Sequence, residues 1–299
     1  MNRIIQAASL AGRVVESRLG RRRPLLAGIK LTHGCNLSCV HCPFWKREQL
    51  SLTFLQVIEA LDTLRYMGIR FVIFEGGEPF VWRDGDFTLA DVVCEAKKRF
   101  IFVGVTTNGT HPIEVDADIV WVSIDGMKET HDRIRGRTFE MILSNIDESS
   151  HPKLFAHITI NALNHREIVE LVRFLAPRVR GITIQFHYPF EGSDDPLFLA
   201  WDDRRRILDE LIVLKRQGLP VADSVACLKA LKANRWRCRP WLVASVDPDG
   251  AITSGCYLET RGPISCVDCG FAAHVELSLA FAGRPGPVLA GLRIFSPWR

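Results

Sequence analysis

Three cysteines near the beginning of the chain, Cys35, Cys39 and Cys42, have the spacing C-x3-C-x2-C. This spacing places three thiolates on one short loop, and soft sulfur ligands of this kind suit an iron–sulfur cluster. A 4Fe–4S cluster contains four irons, so three cysteines leave one iron open to bind a substrate or a cofactor directly. Half of a zinc site is the alternative interpretation, because zinc usually takes four ligands, often as two cysteine pairs.

A second group of cysteines lies in the C-terminal third and consists of Cys238, Cys256, Cys266 and Cys269. Four thiolates can close a complete metal site, which would hold either a second iron–sulfur cluster or a structural zinc. The pair Asp249-Gly250 predicts a β-hairpin turn between the first two of these cysteines. The remaining thiols, Cys94 and Cys227, lie in helical apolar patterns, and we expect both to be buried in the core.

Six strand-like runs must position these groups, and they alternate with helical patterns. The runs are Gly28–Leu31, Arg70–Glu75, Phe100–Thr106, Ile119–Ile124, Phe155–Asn161 and Ile182–His187. Thr53 and Gln56 form a capping box that begins one helix, and Gly68 ends it. Asn164, with Glu167 three residues later, predicts the start of another helix. This alternation predicts βαβ units and therefore a parallel sheet of the α/β class.

Glycine-rich and polar motifs follow these strands, at the carboxyl ends where parallel α/β folds bind ligands. The second strand ends in Gly76-Gly77-Glu78-Pro79, where two glycines allow a ligand to approach the backbone closely; a plain turn explains them equally well. Thr107-Asn108 follow the third strand and Ser123 ends the fourth. Asp125 and Arg135 come next in the chain. They either contact a ligand or only fix the conformation of the loop.

The cysteine spacing, with the glycine motif after the very next strand, resembles the radical S-adenosylmethionine (SAM) superfamily. The resemblance implies a partial (β/α)6 TIM-like barrel and a 4Fe–4S cluster whose open iron chelates SAM. It also implies reductive cleavage of SAM to methionine and a 5′-deoxyadenosyl radical, with an electron donor such as ferredoxin or flavodoxin. The residues that match the family's SAM contacts are Gly76, Gly77, Glu78, Pro79, Thr107, Asn108, Ser123, Asp125 and Arg135. Weaker matches, on the adenine side, are Asn161, Asn164 and Gln185.

The second cysteine group resembles the SPASM/Twitch type of C-terminal extension, which holds an auxiliary 4Fe–4S cluster. It departs from the full SPASM pattern, which has seven cysteines, and it has one extra residue between Gly250 and Cys256. The resemblance therefore implies a single second cluster in a small cysteine-rich extension. The predicted divisions are a core over 24–192, a helical connector over 193–235, the extension over 236–272 and a tail over 273–299.

Residues 1–23 form a basic amphipathic stretch that predicts an N-terminal helix. Its apolar positions are Ile4, Ile5, Ala8, Ala11, Val15 and Leu19, and Arg21, Arg22 and Arg23 follow. Such a helix packs on the domain as a cap, or it lies on a membrane surface or at the mouth of a lipid cavity. The layout also resembles radical SAM proteins of the hopanoid adenosyltransferase type, which act on isoprenoid lipids.

Composition excludes several classes of function. The net charge of +4 over 299 residues is too weak to indicate a nucleic-acid partner, and no apolar run reaches the roughly 18 residues of a membrane span. Seven of the nine cysteines fall in the two groups, and such clusters without a signal peptide indicate metal binding in a reducing cytoplasm. A peripheral membrane contact is expected if the N-terminal helix binds lipid. Arg204, Arg205 and Arg206 predict a solvated helix face.

Three functions remain open from the sequence. The first is radical modification of an isoprenoid lipid, and the second is modification of a peptide, which the SPASM/Twitch-like extension suggests. The expected partner is accordingly a small-molecule, lipid or peptide substrate. Against a peptide substrate, only 34 residues precede Cys35, too few for the separate leader-binding domain that many peptide-modifying relatives carry. The third function is that of a non-catalytic zinc protein.

Overall fold

The computed structural model describes residues 12, 16, 20–190, 194–259 and 261–295. The strands in this part of the chain are β1 Leu26–Lys30, β2 Phe71–Glu75, β3 Arg83–Asp84, β4 Phe87–Thr88, β5 Phe102–Thr107, β6 Ile119–Ser123, β7 Leu154–Ile160, β8 Gly181–Phe186, β9 Val243–Val246 and β10 Ile252–Ser254. The helices are α1 Phe54–Met67, α2 Leu89–Lys97, α3 Lys128–Arg135, α4 Phe139–Asp147, α5 Ile168–Leu175, α6 Trp201–Arg216, α7 Val225–Ala233, α8 Ala272–Phe281 and α9 Pro285–Phe295. The apolar positions of the predicted N-terminal helix lie outside the described residues.

The main sheet has eight strands in the order β10-β9-β1-β2-β5-β6-β7-β8. Strands β1, β2, β5, β6, β7 and β8 run parallel to their neighbours and correspond to the six predicted strands. In the described part of the chain no ladder joins β8 to β10, so the sheet curves without closing. The predicted α/β class and the partial TIM-like barrel are confirmed.

The hairpin β9–β10 adds two strands to the barrel sheet. The turn predicted at Asp249-Gly250 is confirmed, since β9 and β10 pair in antiparallel fashion across it. Strand β9 also pairs in parallel with β1, with Gly28 opposite Ser245. The C-terminal cysteine region is therefore attached to the first barrel strand by main-chain hydrogen bonds.

Side chains that point into the barrel at its amino end are large and aromatic, and they close that end. Phe71, Phe102 and Trp121 pack there around Phe295 of α9, with ring centroids 5.1, 5.2 and 6.4 Å from it. Burial of a large apolar side chain stabilises a fold by roughly 1.5–3 kcal/mol. The segment predicted as a tail thus contains two helices, and α9 plugs the barrel so that ligands must enter from the carboxyl end.

Two predicted helix starts have different outcomes. The capping box at Thr53 and Gln56 is confirmed, as is the left-handed stop at Gly68, which has φ of +94°. The start predicted at Asn164 is wrong, because α5 begins at Ile168 without a side-chain cap. The carboxylate of Glu167 instead accepts hydrogen bonds from Met127 and Thr130 at the start of α3.

The prediction that Arg204 lies on a solvated face is wrong, although Arg205 and Arg206 are exposed and pair with Asp202 and Asp203. The Arg204 side chain is 1% exposed. Its guanidinium lies 4.5–5.0 Å from three aromatic ring centroids, those of Phe186, Phe198 and Trp201. It donates hydrogen bonds to the carbonyl oxygens of Leu199, His187 and Asp268. These partners come from separate segments, so the local charge pattern does not reveal them.

The two thiols outside the cysteine groups also differ from each other. Cys227 on α7 is fully buried, as predicted, whereas the prediction for Cys94 is wrong because this thiol on α2 is exposed. All nine cysteines are free thiols in the structure. No helix in the described ranges combines the length and the apolar character needed to cross a bilayer.

Candidate functional site

The loop that carries the first three cysteines follows β1, at the open end of the barrel. Cys39 is buried, while Cys35 and Cys42 are partly exposed. The backbone N–H of Leu37 donates to the Cys35 sulfur at 3.4 Å, and Asn108 approaches the same sulfur at 3.8 Å. Hydrogen bonds to sulfur stabilise thiolates and tune the reduction potential of a cluster.

Gly76 and Gly77 fix the position of this cysteine loop. The N–H of Gly77 donates to the Thr32 carbonyl at 2.7 Å, and the N–H of Glu78 donates to the Gly34 carbonyl at 2.9 Å. A Cβ at Gly77 would lie 2.0 Å from the Gly34 oxygen, and Gly76 has φ of +143°. Both positions therefore require glycine, because the backbone after β2 packs directly against the start of the cysteine loop.

We expect Gly77→Ala to displace the cysteine loop, because the Gly34 carbonyl is backbone and cannot move aside alone. The cost in unfolding free energy should be about 1–3 kcal/mol, as for other overpacked sites. Iron bound after anaerobic reconstitution should fall, and elemental analysis measures it. The control is Gly291→Ala on α9, where no atom lies within 4 Å of the new Cβ. Equal iron contents in the two variants would contradict this role for Gly77.

The carboxylate of Glu78 is fully buried and connects two strand ends. It accepts hydrogen bonds from Thr107 Oγ1 at 2.7 Å, the Asn108 N–H at 2.6 Å and the Phe80 N–H at 3.0 Å. Burial raises the pKa of Glu78 to about 7, although these three donors act in the opposite direction. The structure thus assigns this side chain at least a positioning role beside Asn108, which itself contacts Cys35.

Asp125 and Arg135 form a buried ion pair behind the cysteine loop. Arg135 Nε lies 2.6 Å from Asp125 Oδ2, and Arg135 Nη1 lies 3.9 Å from the Cys39 sulfur. Burial disfavours the charged form of Asp125, but Arg135 and the other partners outweigh it and leave its pKa below the usual range. Burial raises the pKa of Cys39 to about 11, with Arg135 opposing this effect. Cys39 is therefore a thiol at neutral pH unless it binds a metal.

His41 lies 3.7 Å from Asp125, yet it forms no ion pair at neutral pH. Burial lowers the pKa of His41 to about 3, so its imidazole is neutral. The remaining predicted residues, Ser123 and Pro79, are also buried at strand ends. Contacts thus join most of the predicted residues into one site. Ser123 ends β6, where it pairs with His157 of β7.

The second cysteine group lies between the two edge strands of the sheet, β10 and β8, since Cys256 follows β10 and Gly270, next to Cys269, accepts a hydrogen bond from Phe186 of β8. Cys256 follows β10, Cys266 and Cys269 flank a short turn, and Cys238 precedes β9. Burial raises the pKa of Cys269 to about 11, and charge on the other three cysteines raises it further. The four sulfurs are therefore close enough to repel one another as thiolates, which is the condition that a bound metal centre relieves.

The barrel itself holds this group in place. The N–H of Phe186 donates to the Gly270 carbonyl at 3.0 Å, and a Cβ at Gly270 would lie 2.5 Å from Phe186. Tyr188 bonds to the backbone of Ser265, and the buried Arg204 donates to the Asp268 carbonyl. The Cys266–Cys269 turn is thus fixed to the carboxyl end of β8.

The spacing of the sulfur atoms within each cysteine group can be compared with the spacing around a bound zinc ion. Among the described residues, neither cysteine group brings three sulfur atoms within 4.8 Å of one another; the group that meets this limit is Asp223, Cys227 and Glu276. A zinc ion with bonds of about 2.3 Å would hold its sulfurs about 3.8 Å apart. A single zinc ion would therefore require the sulfurs of either group to lie closer together than they do in this structure.

A buried polar network, which the sequence did not predict, joins the two cysteine groups. Tyr257, next to Cys256, donates to Glu75 Oε1 at 2.5 Å and accepts from Arg261 at 2.7 Å. Lys30, at the end of β1, lies 2.9 Å from Asp247 and 4.9 Å from the Tyr257 ring centroid. A lysine inside an otherwise apolar strand was the available signal, since a buried charge needs partners.

The interior of the barrel is polar toward the carboxyl ends of β7 and β8. His157 bonds to Thr183 at 2.9 Å, and Gln185 donates to Thr159 at 3.2 Å, across β7 and β8. The predicted residues Asn161 and Asn164 are buried and bond mainly to backbone groups there, including the carbonyl of Thr159. Polar side chains at this end of the barrel suit a ligand with hydrogen-bonding groups.

Comparisons with known proteins agree with this geometry. The family model described as the radical SAM superfamily matches residues 29–175, which include the first cysteine group and its surroundings. The mycofactocin maturase MftC of Mycobacterium tuberculosis is 30% identical over 279 residues, covering 85% of this chain and 66% of the relative. The Fe-coproporphyrin III synthase of Methanosarcina barkeri is 26% identical, covering 62% and 50%.

A solved structure shares the fold across nearly the whole chain. Streptococcus suis SuiB bound to the precursor peptide SuiA superposes with a TM-score of 0.64 at 15% identity. The alignment covers 99% of this chain and 73% of SuiB, which extends the likeness through the C-terminal cysteine region. This chain spans about two thirds or less of the length of the two curated relatives.

Proposed function

Because the chain belongs to the radical SAM superfamily, we propose that it is a maturase that modifies a peptide by SAM-dependent radical chemistry. Family membership implies a 4Fe–4S cluster and SAM, and it sets aside the non-catalytic zinc protein. One observation supports the proposal above the others: the Tyr257–Glu75–Arg261 network connects the second cysteine group to the end of β2, which packs against the loop of the first group.

The residues of the chain have separable tasks in this proposal. Cys35, Cys39 and Cys42 would hold the first cluster, and the motifs that follow β2, β5 and β6 would bind its SAM. When bound, cluster and SAM supply reductive cleavage that yields methionine and a 5′-deoxyadenosyl radical. Arg135 neutralises charge beside Cys39, while the plug at Phe295 prevents entry of water from the amino end.

Cys238, Cys256, Cys266 and Cys269 would hold a second cluster, which would supply one-electron transfer. The exposed thiols and the open iron require reducing conditions, which supports a location in the cytoplasm. Ferredoxin or flavodoxin is the class of protein that supplies the electron.

Peptides are favoured over the other substrate classes by the relatives. MftC is named as a maturase, and SuiB was solved with a precursor peptide. The lipid interpretation depended on residues 1–23, and the comparisons give it no support. A tetrapyrrole is a second candidate because of the Fe-coproporphyrin III synthase relative, although that match covers a smaller part of the chain.

Anaerobic incubation with SAM, dithionite and short peptides encoded beside the gene tests the proposal. Mass spectrometry should show a changed mass for one peptide, together with formation of 5′-deoxyadenosine. The Cys39→Ala variant is the control and should produce neither. A changed coproporphyrin mass with unchanged peptides would contradict a peptide substrate and favour the second candidate.

A further inference from the structure

A basic pocket lies beside Cys238, on the outer surface of the C-terminal cysteine region. Its volume is about 640 Å³, and its walls include Arg22, Arg237, Arg239 and Trp241. Cys238 itself is in the lining and is exposed, as is Cys266. Cys256 and Cys269 are partly buried, so the second centre would present one side to solvent, and this pocket adjoins that side.

The lining of the pocket carries an excess of positive charge. Within the described residues, no aspartate or glutamate lines it. Arg22 and Arg237 are exposed and form no hydrogen bond or ion pair with another described residue. Arg239 is held in place, since it donates to the Ser278 carbonyl at 2.8 Å. One carboxylate lies at the rim: Oε2 of the exposed Glu259 is 3.3 Å from the position that a Cβ would take on Gly255, which lines the pocket.

Arginines without partners around a metal ligand match a negatively charged partner. A concentrated positive patch accelerates the encounter with an acidic protein and orients it. Electron-carrier complexes bury little surface, because they must dissociate after each transfer. A shallow basic rim beside an exposed thiolate ligand suits such a brief contact better than it suits an enclosed small-molecule site.

We propose that this pocket docks an acidic one-electron carrier protein, and that the second cysteine group is the port through which electrons enter. With a cluster bound at the four cysteines, the carrier would be oxidised by one electron and that cluster reduced by one, with no proton and no bond change. The cluster would return to its oxidised state by passing that electron to the first cluster. This inference rests on the proposed function, because it requires a metal centre at the four cysteines.

Charge reversal at two positions tests the docking surface. In the reconstituted protein, Arg22→Glu with Arg237→Glu should weaken binding of a strongly acidic flavodoxin by roughly tenfold or more at low salt. The dependence of the affinity on ionic strength should become shallower, since fewer charges attract the carrier. Calorimetric titration measures both. Arg22→Gln with Arg237→Gln should give an intermediate loss, and unchanged iron content would verify that the variants are folded.

The matched control makes the same change in net charge on the helical layer. Arg65→Glu with Arg173→Glu alters exposed residues of α1 and α5 and should leave the affinity unchanged. Cleavage of SAM driven by dithionite should be equal in all variants, because a small reductant needs no docking surface. If the parent protein also fails to cleave SAM with dithionite, the proposed function is wrong. The binding titration tests the docking surface independently of that result.

Two results would overturn the docking proposal. The first is equal weakening by both charge reversals, which would mean that net charge alone attracts the carrier. The second is binding of polyglutamate as tight as that of flavodoxin, with the same sensitivity to Arg22 and Arg237, which would mean general attraction of anions.

Discussion

Replacement of Cys39 by alanine should abolish reductive cleavage of SAM and remove about four irons per chain. Cys39 is the buried member of the first cysteine group, so no water or neighbouring ligand can readily substitute for its sulfur. The fold should survive, because Arg135 keeps its ion pair with Asp125 at 2.6 Å. Formation of 5′-deoxyadenosine under dithionite, measured by chromatography, should fall to the level of the buffer.

Cys94→Ala provides the matched control for this experiment. Its thiol is exposed on α2, outside both cysteine groups, and its loss should change neither iron content nor SAM cleavage. If Cys39→Ala still cleaved SAM at the parent rate, Cys39 could not be a ligand of the cluster that binds SAM. Loss of iron with loss of secondary structure would instead indicate that Cys39 serves the fold.

The barrel was predictable because its strands are short apolar runs, each followed by a glycine or a polar motif. Cys35, Asn108 and Arg135 belong to separate motifs, yet all follow parallel strands, so their meeting at one edge follows from topology. Strand β9 was not predicted as part of this sheet. Its four residues carry no periodic signal, and its partner β1 lies more than 200 positions earlier in the chain.

Contacts between distant segments account for the other residues that the sequence did not reveal. Tyr257 and Glu75 are 182 positions apart in the sequence but share a hydrogen bond, so neither residue reveals its role without the other. Arg204 lies between two other arginines in an acidic and basic helix, a pattern typical of a solvated face. It is buried because aromatic rings and carbonyls from several segments surround it, which a local pattern cannot encode.

The variant without Cys35, Cys39 and Cys42 should still bind about four irons, half of the roughly eight expected for the parent with two clusters. Its second cysteine group keeps all the contacts that position it, since β8, Arg204 and the hairpin β9–β10 are unchanged. It should therefore remain brown while failing to cleave SAM. Elemental analysis and visible absorption measure this after anaerobic reconstitution.

The metal content of this triple variant separates three interpretations of Cys238, Cys256, Cys266 and Cys269. A colourless protein with one zinc would mean a structural zinc site, for which the sulfurs would have to move closer together than they are in this structure. A folded protein without metal would mean that the four thiols are no metal site, and the proposed electron port would fall with it. About four irons would instead mean that the four thiolates hold a cluster without help from SAM. The partly buried Cys256 and Cys269 would then be its ligands together with the exposed Cys238 and Cys266.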